Sequence, residues 1–153
     1  MKICLIHNFY TQYGGEDEVV SYMLNIFKKN YQVMGFFVYS NEIKNIYSKL
    51  KFIFGLTTYR EIKRLKTTLK KEKPDIVHIH NVFPILTPRI YNIIKKMNIP
   101  IVQTVHNFRF FCPNGLLLYQ NNKMCNDFNN PIRCIKGKCY RNSYLQTLLY
   151  CLH

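Results

Sequence analysis

The order of apolar and polar residues along the chain predicts strands and helices in alternation. Four short apolar runs have the length of strands that are buried on both faces: residues 1–8, 31–40, 76–80 and 101–105. Three longer segments repeat apolar residues at the spacing of one helix face: residues 19–27, 59–69 and 86–97. Such alternation favours right-handed crossovers and a parallel sheet that is covered on both faces. We therefore predict an α/β fold with a doubly wound parallel sheet.

The last third of the chain follows a different pattern. From residue 107 to residue 142 the periodicity is lost, and Pro, Gly, Asn and Cys gather, which predicts a long loop. Residues 144–152 again have helical spacing. The whole chain has 153 residues, the size of one domain. We expect one domain over residues 1–153, with a core at 1–106, a Cys-containing loop at 107–142 and a terminal helix at 143–153.

The composition is strongly basic, with 22 Lys and Arg against eight Asp and Glu and a net charge of +14. This charge favours anionic partners. The chain lacks Ala and Trp and is rich in residues with AT-rich codons, so part of the Lys excess reflects genome composition and only local clusters are interpreted. No apolar run approaches the ~18 residues of a membrane-spanning helix, and the amino terminus lacks a secretory signal. We expect a cytoplasmic protein.

A His-Asn dipeptide recurs at the carboxyl ends of three predicted strands. In open parallel sheets, ligands bind beyond the carboxyl ends of the strands, so these ends are expected to form one polar shelf. The alternative is that each His merely ends a strand by bonding a loop. The dipeptides are His7-Asn8, His80-Asn81 and His106-Asn107.

A pair of glycines, Gly14 and Gly15, separates the first strand from the first helix. Unhindered backbone at this place allows N–H groups to approach a phosphate, although Gly also punctuates ordinary turns. Neither GxGxxG nor GxxxxGK[ST] occurs, which disfavours a standard dinucleotide or ATPase site. The acidic residues 16–18 repel a bound anion. They are expected instead to stabilise the amino terminus of the helix through its dipole.

The predicted helix near residues 59–73 is both amphipathic and basic. A helix of this kind binds an anionic membrane surface or is simply a solvated face over the core. Its cations are opposed only by Glu61 and Glu72. They are Arg60, Lys63, Arg64, Lys66, Lys70, Lys71 and Lys73.

Six cysteines fit a reducing compartment, and Cys4 and Cys151 have the apolar neighbours of core residues. The other four have 12, 8 and 4 residues between them: Cys112, Cys125, Cys134 and Cys139. A structural zinc site usually contains a close Cys pair, which is missing here. Buried or free thiols in a loop are the favoured interpretation, and zinc remains an alternative.

Four motifs in order resemble those of one enzyme family. They are Ile6-His7-Asn8 with Gly14-Gly15-Glu16-Asp17, Lys73-Pro74-Asp75-Ile76-Val77-His78-Ile79-His80-Asn81, Gln103-Thr104-Val105-His106-Asn107-Phe108-Arg109 and Cys112-Pro113-Asn114-Gly115. Together they resemble the amino-terminal half of family 4 glycosyltransferases. The resemblance covers nearly the whole chain.

This resemblance implies one Rossmann-like lobe of the two-lobed GT-B architecture. Such enzymes transfer a sugar from a nucleotide-sugar donor to a glycan or lipid-linked acceptor, usually with retention and without metal or cofactor. The resemblance places Gly14 and Gly15 beside the donor diphosphate and His106 facing the transferred sugar as the catalytic residue. The candidates for acceptor or sugar binding are Asn8, His80, Asn81, Asn107 and Arg109.

The chain also departs from that family. It has no counterpart of the nucleotide-binding lobe with its glutamate pair, since Asp127 is the only acid beyond residue 75. We interpret the chain as half of a transferase, which is truncated, split or fragmentary and has little activity alone. The partners considered for it are a separate carboxyl-terminal lobe and the anionic inner face of the cell membrane. The alternatives are a non-catalytic domain that pairs with a partner lobe, or a small zinc and nucleic-acid-binding protein, although nucleic acid is the less favoured partner.

Overall fold

A computed structural model describes residues 1–42, 56–119, 123–128 and 130–152 of the chain. The chain forms two compact units, Met1–His106 and Asn107–His153. None of the helices within these described ranges is long and apolar enough to cross a membrane. Residue 153, the end of the predicted terminal helix, lies outside the described residues.

The first unit contains a four-stranded sheet of entirely parallel strands in the order β2-β1-β3-β4. The register places Cys4 of β1 opposite Met34 of β2 and Val77 of β3. The order reverses between β1 and β3, which makes this point the topological switch of the sheet. The strands are β1 (Lys2–Phe9), β2 (Gln32–Tyr39), β3 (Ile76–Ile79) and β4 (Ile101–Gln103).

The interior strands carry most of the core of this unit. Leu5 and Ile6 of β1 and Val77 of β3 are fully buried. β4 lies at one edge of the sheet, and its Val102 is 44% exposed. Burial along the sheet therefore falls from β1 and β3 towards β4.

Within the described residues, three α-helices connect these strands: α1 (Gly15–Phe27), α2 (Leu56–Glu72) and α3 (Arg89–Lys95). The chain moves one way across the sheet through α1 and the other way through α2 and α3. Right-handed crossovers therefore place α1 on one face and the other two helices on the opposite face, and α2 indeed contacts α3. The doubly wound, Rossmann-like α/β prediction is confirmed.

The buried face of α2 differs from the predicted apolar stripe. Tyr59 was expected to face inwards, but its side chain is 68% exposed. The buried side of the helix includes an acidic residue, Glu61, instead. Its carboxylate is paired with Arg60 at 2.8 Å and with Arg64 at 2.6 Å. Local ion pairs thus make a charge tolerable at a buried position. The buried positions are Thr58, Glu61, Leu65 and Leu69.

The third helix is shorter than the predicted segment 86–97. Pro88 immediately precedes it, and proline disfavours helical backbone in the residue before it. Thr87 lies in the left-handed region, with φ at 58°, which a right-handed helix does not include. The helix therefore begins at Arg89 rather than at Leu86.

The prediction of a long loop over residues 107–142 was wrong for the second unit. That stretch contains an antiparallel pair of short strands and a helix that is capped by the Asn130 side chain, which accepts from the N–H of Arg133 at 3.1 Å. Elements of two to six residues are too short to show a period in sequence. The elements of this unit are β5 (Leu118–Tyr119), β6 (Lys123–Met124), α4 (Pro131–Lys136) and α5 (Tyr144–Cys151).

Candidate functional site

The carboxyl ends of β1, β3 and β4 bring three imidazoles together at the switch of the sheet. Nδ1 of His80 lies 2.8 Å from Nε2 of His106. The ring centroids of His7 and His80 are 6.2 Å apart. A fourth ring, that of His78, has its centroid 4.5 Å from that of His80 and is tilted against it by 34°. The three strand ends thus converge as the sequence suggested, although the imidazoles have different environments.

The first imidazole, His7, is buried and has bonds at both ring nitrogens. Its Nδ1 accepts from the backbone N–H of Asn81 at 3.3 Å, so its Nε2 carries the proton and donates to Oδ1 of Asp17 at 2.7 Å. Burial lowers the pKa of His7, and the bond to Asp17 only partly opposes that effect. His7 is therefore a neutral structural group with no nitrogen left for a ligand.

The partner of His7, Asp17, was not recognised from sequence as part of the site. Its side chain is fully buried at the first turn of α1, where Oδ2 accepts the N–H of Gly14 at 2.9 Å. An acid three residues after a helix cap is a known sequence signal, but it indicates a capping box. The pairing with His7 depends on packing of α1 against β1.

The amides of Asn8 and Asn81 were expected on an open shelf, and the structure places them in the interior. Oδ1 of Asn8 accepts the N–H of Ile85 at 3.2 Å, and its Nδ2 donates to Oγ of Ser40 at 2.8 Å. Nδ2 of Asn81 donates to the Asn8 carbonyl at 3.1 Å, and its Oδ1 accepts the N–H of Phe83 at 3.0 Å. Buried amides with these bonds hold the loop after β3 and have their hydrogen-bonding groups engaged within the protein.

His80 was also expected to contact the sugar, and its side chain is too deeply buried for that role. The residue is 2% exposed, and its Nε2 has no hydrogen-bond partner among the described residues. Burial, followed by the imidazoles of His78, His106 and His7, lowers its pKa to about 3. His80 is therefore neutral at physiological pH and contacts His106 rather than solvent.

His106 is the half-exposed member of this group. It follows the edge strand β4, which pairs only with β3 among the described strands. Its Nε2 faces His80, and its ring lies at 23° to the ring of His80. Of the three predicted imidazoles, this one can reach a bound molecule.

The two glycines form the start of α1, with Gly14 as its extended cap residue. The N–H of Gly14 is used by Asp17, whereas the N–H of Gly15 has no partner within the part of the chain that the structure describes. A Cβ at either position would meet nothing within 4 Å. The backbone N–H of Gly15 is therefore available to a phosphate oxygen at the positive end of a helix.

Asn107 and Arg109 belong to the second unit. Oδ1 of Asn107 accepts the N–H of Arg109 at 2.9 Å, and Tyr150 Oη donates to the carbonyl of Arg109 at 2.9 Å. The guanidinium of Arg109 lies 5.9 Å from the ring centre of Tyr140. These contacts order the turn that contains both residues, and their predicted role in acceptor binding remains a prediction.

A comparison with protein-family models gave a match to Glycosyltransferase Family 4 over residues 28–145, which is 118 of the 153 residues. The chain belongs to this family. No curated protein and no solved structure gave a significant match. The match includes His80, His106 and Arg109, and begins after Gly14 and Gly15. Glycosyl transfer is therefore the reaction class of this domain, with a sugar donor and an acceptor as its substrates.

The cysteines of this glycosyltransferase domain are free thiols. Cys134 lies within α4, and Cys139, three residues beyond the helix, donates its backbone N–H to the Cys134 carbonyl at 3.1 Å. Burial raises the pKa of Cys134 to about 12, and this makes its thiol unreactive. No group of three or more potential ligands among the described residues could hold a metal ion.

The outer face of α2 in the glycosyltransferase domain carries exposed lysines. Lys63, Lys66 and Lys70 recur three and four positions apart on one side of the helix, with the exposed Tyr59 one turn before them. Arg60 and Arg64 are partly neutralised by Glu61. The result is a row of cations with an aromatic ring at its beginning.

Proposed function

We propose that this domain is the acceptor-side lobe of a retaining glycosyltransferase that moves a hexose from a nucleotide-sugar donor to a glycan or lipid-linked acceptor. The observation that carries the proposal is the half-exposed His106 beside the switch point of a sheet that belongs to Glycosyltransferase Family 4. The open N–H of Gly15 follows the neighbouring strand β1, where a donor phosphate can approach.

The proposed chemistry needs electrostatic help rather than a nucleophile from this lobe. The bond between the anomeric carbon and the phosphate oxygen breaks, and its electron pair leaves with the nucleotide. The acceptor oxygen forms the new bond on the same face and passes its proton to the leaving phosphate. A neutral His106 hydrogen-bonds a hydroxyl of the transferred sugar and stabilises the charge that develops at the anomeric carbon.

This lobe supplies one wall of the proposed cleft. Stabilisation of the transition state requires groups on both sides of the sugar. Because Asp127 is the only acid after residue 75, the glutamates expected from the resemblance do not come from this region. We assign them to a nucleotide-binding lobe, either on the same polypeptide or on a partner.

The test is a transfer assay that supplies the nucleotide-binding lobe, a panel of nucleotide sugars and extracted membrane lipid as acceptor. His106→Ala should lower turnover about 10²-fold, by loss of one transition-state contact, and leave the unfolding free energy nearly unchanged. Val105→Ala, at an exposed neighbouring position, is the matched control. Turnover of His106→Ala equal to that of the control would remove His106 from the catalytic group.

A second proposal concerns where the enzyme works. The row of Lys63, Lys66 and Lys70 favours contact with the anionic inner face of the cell membrane, each basic side chain adding about 1 kcal/mol near such a surface. Sedimentation with anionic vesicles should show weaker binding for Lys66→Glu/Lys70→Glu than for a control pair, Lys28→Glu/Lys29→Glu, at the end of α1. Equal binding of the two variants would contradict a contact through α2.

A further inference from the structure

The contact between His80 and His106 raises the question of which ring holds the proton between them. The two nitrogens are 2.8 Å apart, a hydrogen-bond distance, so one must donate and the other accept. His80 is neutral because of its low pKa, and a neutral imidazole has one N–H and one bare nitrogen. When His106 is also neutral, the position of this single proton fixes the tautomers of both rings.

Two arrangements satisfy the contact. In one, Nε2 of His106 donates and Nδ1 of His80 accepts, so the proton of His80 must sit on its Nε2. In the other, Nδ1 of His80 donates, and its Nε2 is a bare acceptor. The second arrangement places the proton of His106 on its Nδ1.

The surroundings of His80 distinguish these arrangements. Its Nε2 is buried without a hydrogen-bond partner among the described residues. A buried N–H without an acceptor is rarer in folded proteins than an acceptor without a donor. The adjacent His7 offers no acceptor, because its Nδ1 already accepts the N–H of Asn81. The arrangement with a bare Nε2 on His80 is therefore favoured.

We infer that His80 is a positioning residue whose Nδ1–H donates to Nε2 of His106 and thereby fixes His106 as the Nδ1–H tautomer. The half-exposed ring then presents an N–H donor, and not a bare nitrogen, to its ligand. An N–H donor recognises an oxygen lone pair, such as that of a sugar hydroxyl or a donor phosphate. This choice of ligand atom rests on the proposed function, whereas the position of the proton does not.

The tautomer is measurable by long-range ¹H–¹⁵N NMR on the ¹⁵N-labelled chain, without donor or acceptor. The chain has five histidines, and single His substitutions assign their rings. Spectra should be taken about two pH units above the ordinary histidine pKa of about 6.5, where neutral rings dominate. We expect the Nδ1 resonance of His106 at the protonated end of the ¹⁵N range and its Nε2 resonance at the unprotonated end. The reverse order in the wild-type chain overturns the inference, whatever the variants do.

Two variants test whether His80 is the cause. His80→Phe removes the donor and retains a ring, so the two ¹⁵N shifts of His106 should exchange places. His78→Phe removes an imidazole that lies against His80 and whose Nε2 bonds Oγ1 of Thr104, so the shifts of His106 should stay. A His106 spectrum that is unchanged in a folded His80→Phe chain would show that His80 does not set the tautomer.

Activity separates this inference from the proposed function. If transfer fails with every donor while His106 is the Nδ1–H tautomer, the proposed function is wrong and the positioning role stands. If transfer occurs and depends on His106, but His106 is the Nε2–H tautomer, the positioning role is wrong and the proposed function stands.

Discussion

The ends of β1 and β3 differ sharply from the end of β4, although all three carry the dipeptide His-Asn. His7 and Asn8 are fully buried and bonded to neighbouring backbone and side chains. His80 is buried as well, whereas His106 at the end of β4 is half-exposed. The same local sequence therefore builds an internal support at two strand ends and an accessible imidazole at the third.

The position of each strand in the sheet explains this difference. β1 and β3 are interior strands, each paired on both sides, and β4 pairs only with β3 among the described strands. Helices and neighbouring strands cover the interior ends, so polar groups there must be satisfied internally. A polar group at the edge can retain solvent access. The buried His80 at the end of β3 in turn contacts His106 at the end of β4.

The largest effect on stability is expected from removal of the buried carboxylate of Asp17. Asp17→Ala should lower the free energy of unfolding by about 3 kcal/mol, because it leaves the N–H groups of His7 and Gly14 without their acceptor. Urea unfolding measures the change. Glu18→Ala, at an exposed position on the same helix turn, should cost less than about 0.5 kcal/mol. Similar losses in both variants would mean that the buried pair stabilises no more than a surface acid.

The asparagines offer a direct comparison of the two kinds of strand end. Asn81→Ala removes three hydrogen bonds in the interior and should cost about 2 kcal/mol of unfolding free energy. Asn107→Ala changes a half-buried turn, where water replaces lost bonds, and should cost about 1 kcal/mol or less. Urea unfolding of both variants provides the comparison. A larger loss of unfolding free energy for Asn107→Ala than for Asn81→Ala would contradict the view that the end of β3 is an internal support and the end of β4 is accessible.

Acid should weaken the internal support through its imidazoles. Burial lowers the pKa of His80 to about 3 and also lowers those of His7 and His78, while the unfolded chain titrates near about 6.5. The unfolded state then binds more protons between these values. The stability is thus complete above about pH 6.5 and decreases as the pH falls, by about 1.4 kcal/mol per pH unit for each such histidine.

The variant His80→Phe checks this origin of the acid sensitivity. Urea unfolding between about pH 7 and pH 5 should give a slope that is smaller than the wild-type slope, by an amount that approaches one proton towards about pH 5. His106→Phe serves as the comparison at the edge strand. An identical pH slope in wild type and His80→Phe would place the acid sensitivity elsewhere.

The smallest effect on folding is expected at the glycine turn. Gly15→Val should change the unfolding free energy by less than about 0.5 kcal/mol, because an added Cβ would meet nothing within 4 Å at this exposed position. The same Cβ would obstruct a phosphate at the Gly15 N–H, so donor affinity should fall about tenfold in an assay that includes the nucleotide-binding lobe. Gly35→Ala, away from the strand ends, is not a useful control, because its Cβ would lie 2.3 Å from the Phe37 ring. Asn41→Ala, at an exposed position, is suitable. Unchanged donor affinity in Gly15→Val would exclude the phosphate role.

Much of the fold was predictable because it is recorded in local patterns. Apolar runs identified the strands of the sheet, and helical spacing identified the helices that connect them. The elements β5, β6 and α4 of the second unit escaped prediction because two to six residues show no period, whereas the eight residues of α5 did show one. α2 was placed correctly, but its buried face was not, since the pairs of Glu61 with Arg60 and Arg64 form only in the folded helix.

The sequence by itself determined that three His-Asn pairs follow strands of one parallel sheet and therefore meet at one edge. Only the tertiary structure decided that β1 and β3 lie inside the sheet and β4 at its edge, because strand order results from pairing between distant segments. That order buries His7 and His80 and leaves His106 half-exposed. It also joins Asp17 to His7, since ten residues along the chain separate them and only the packing of α1 on β1 brings their atoms to 2.7 Å.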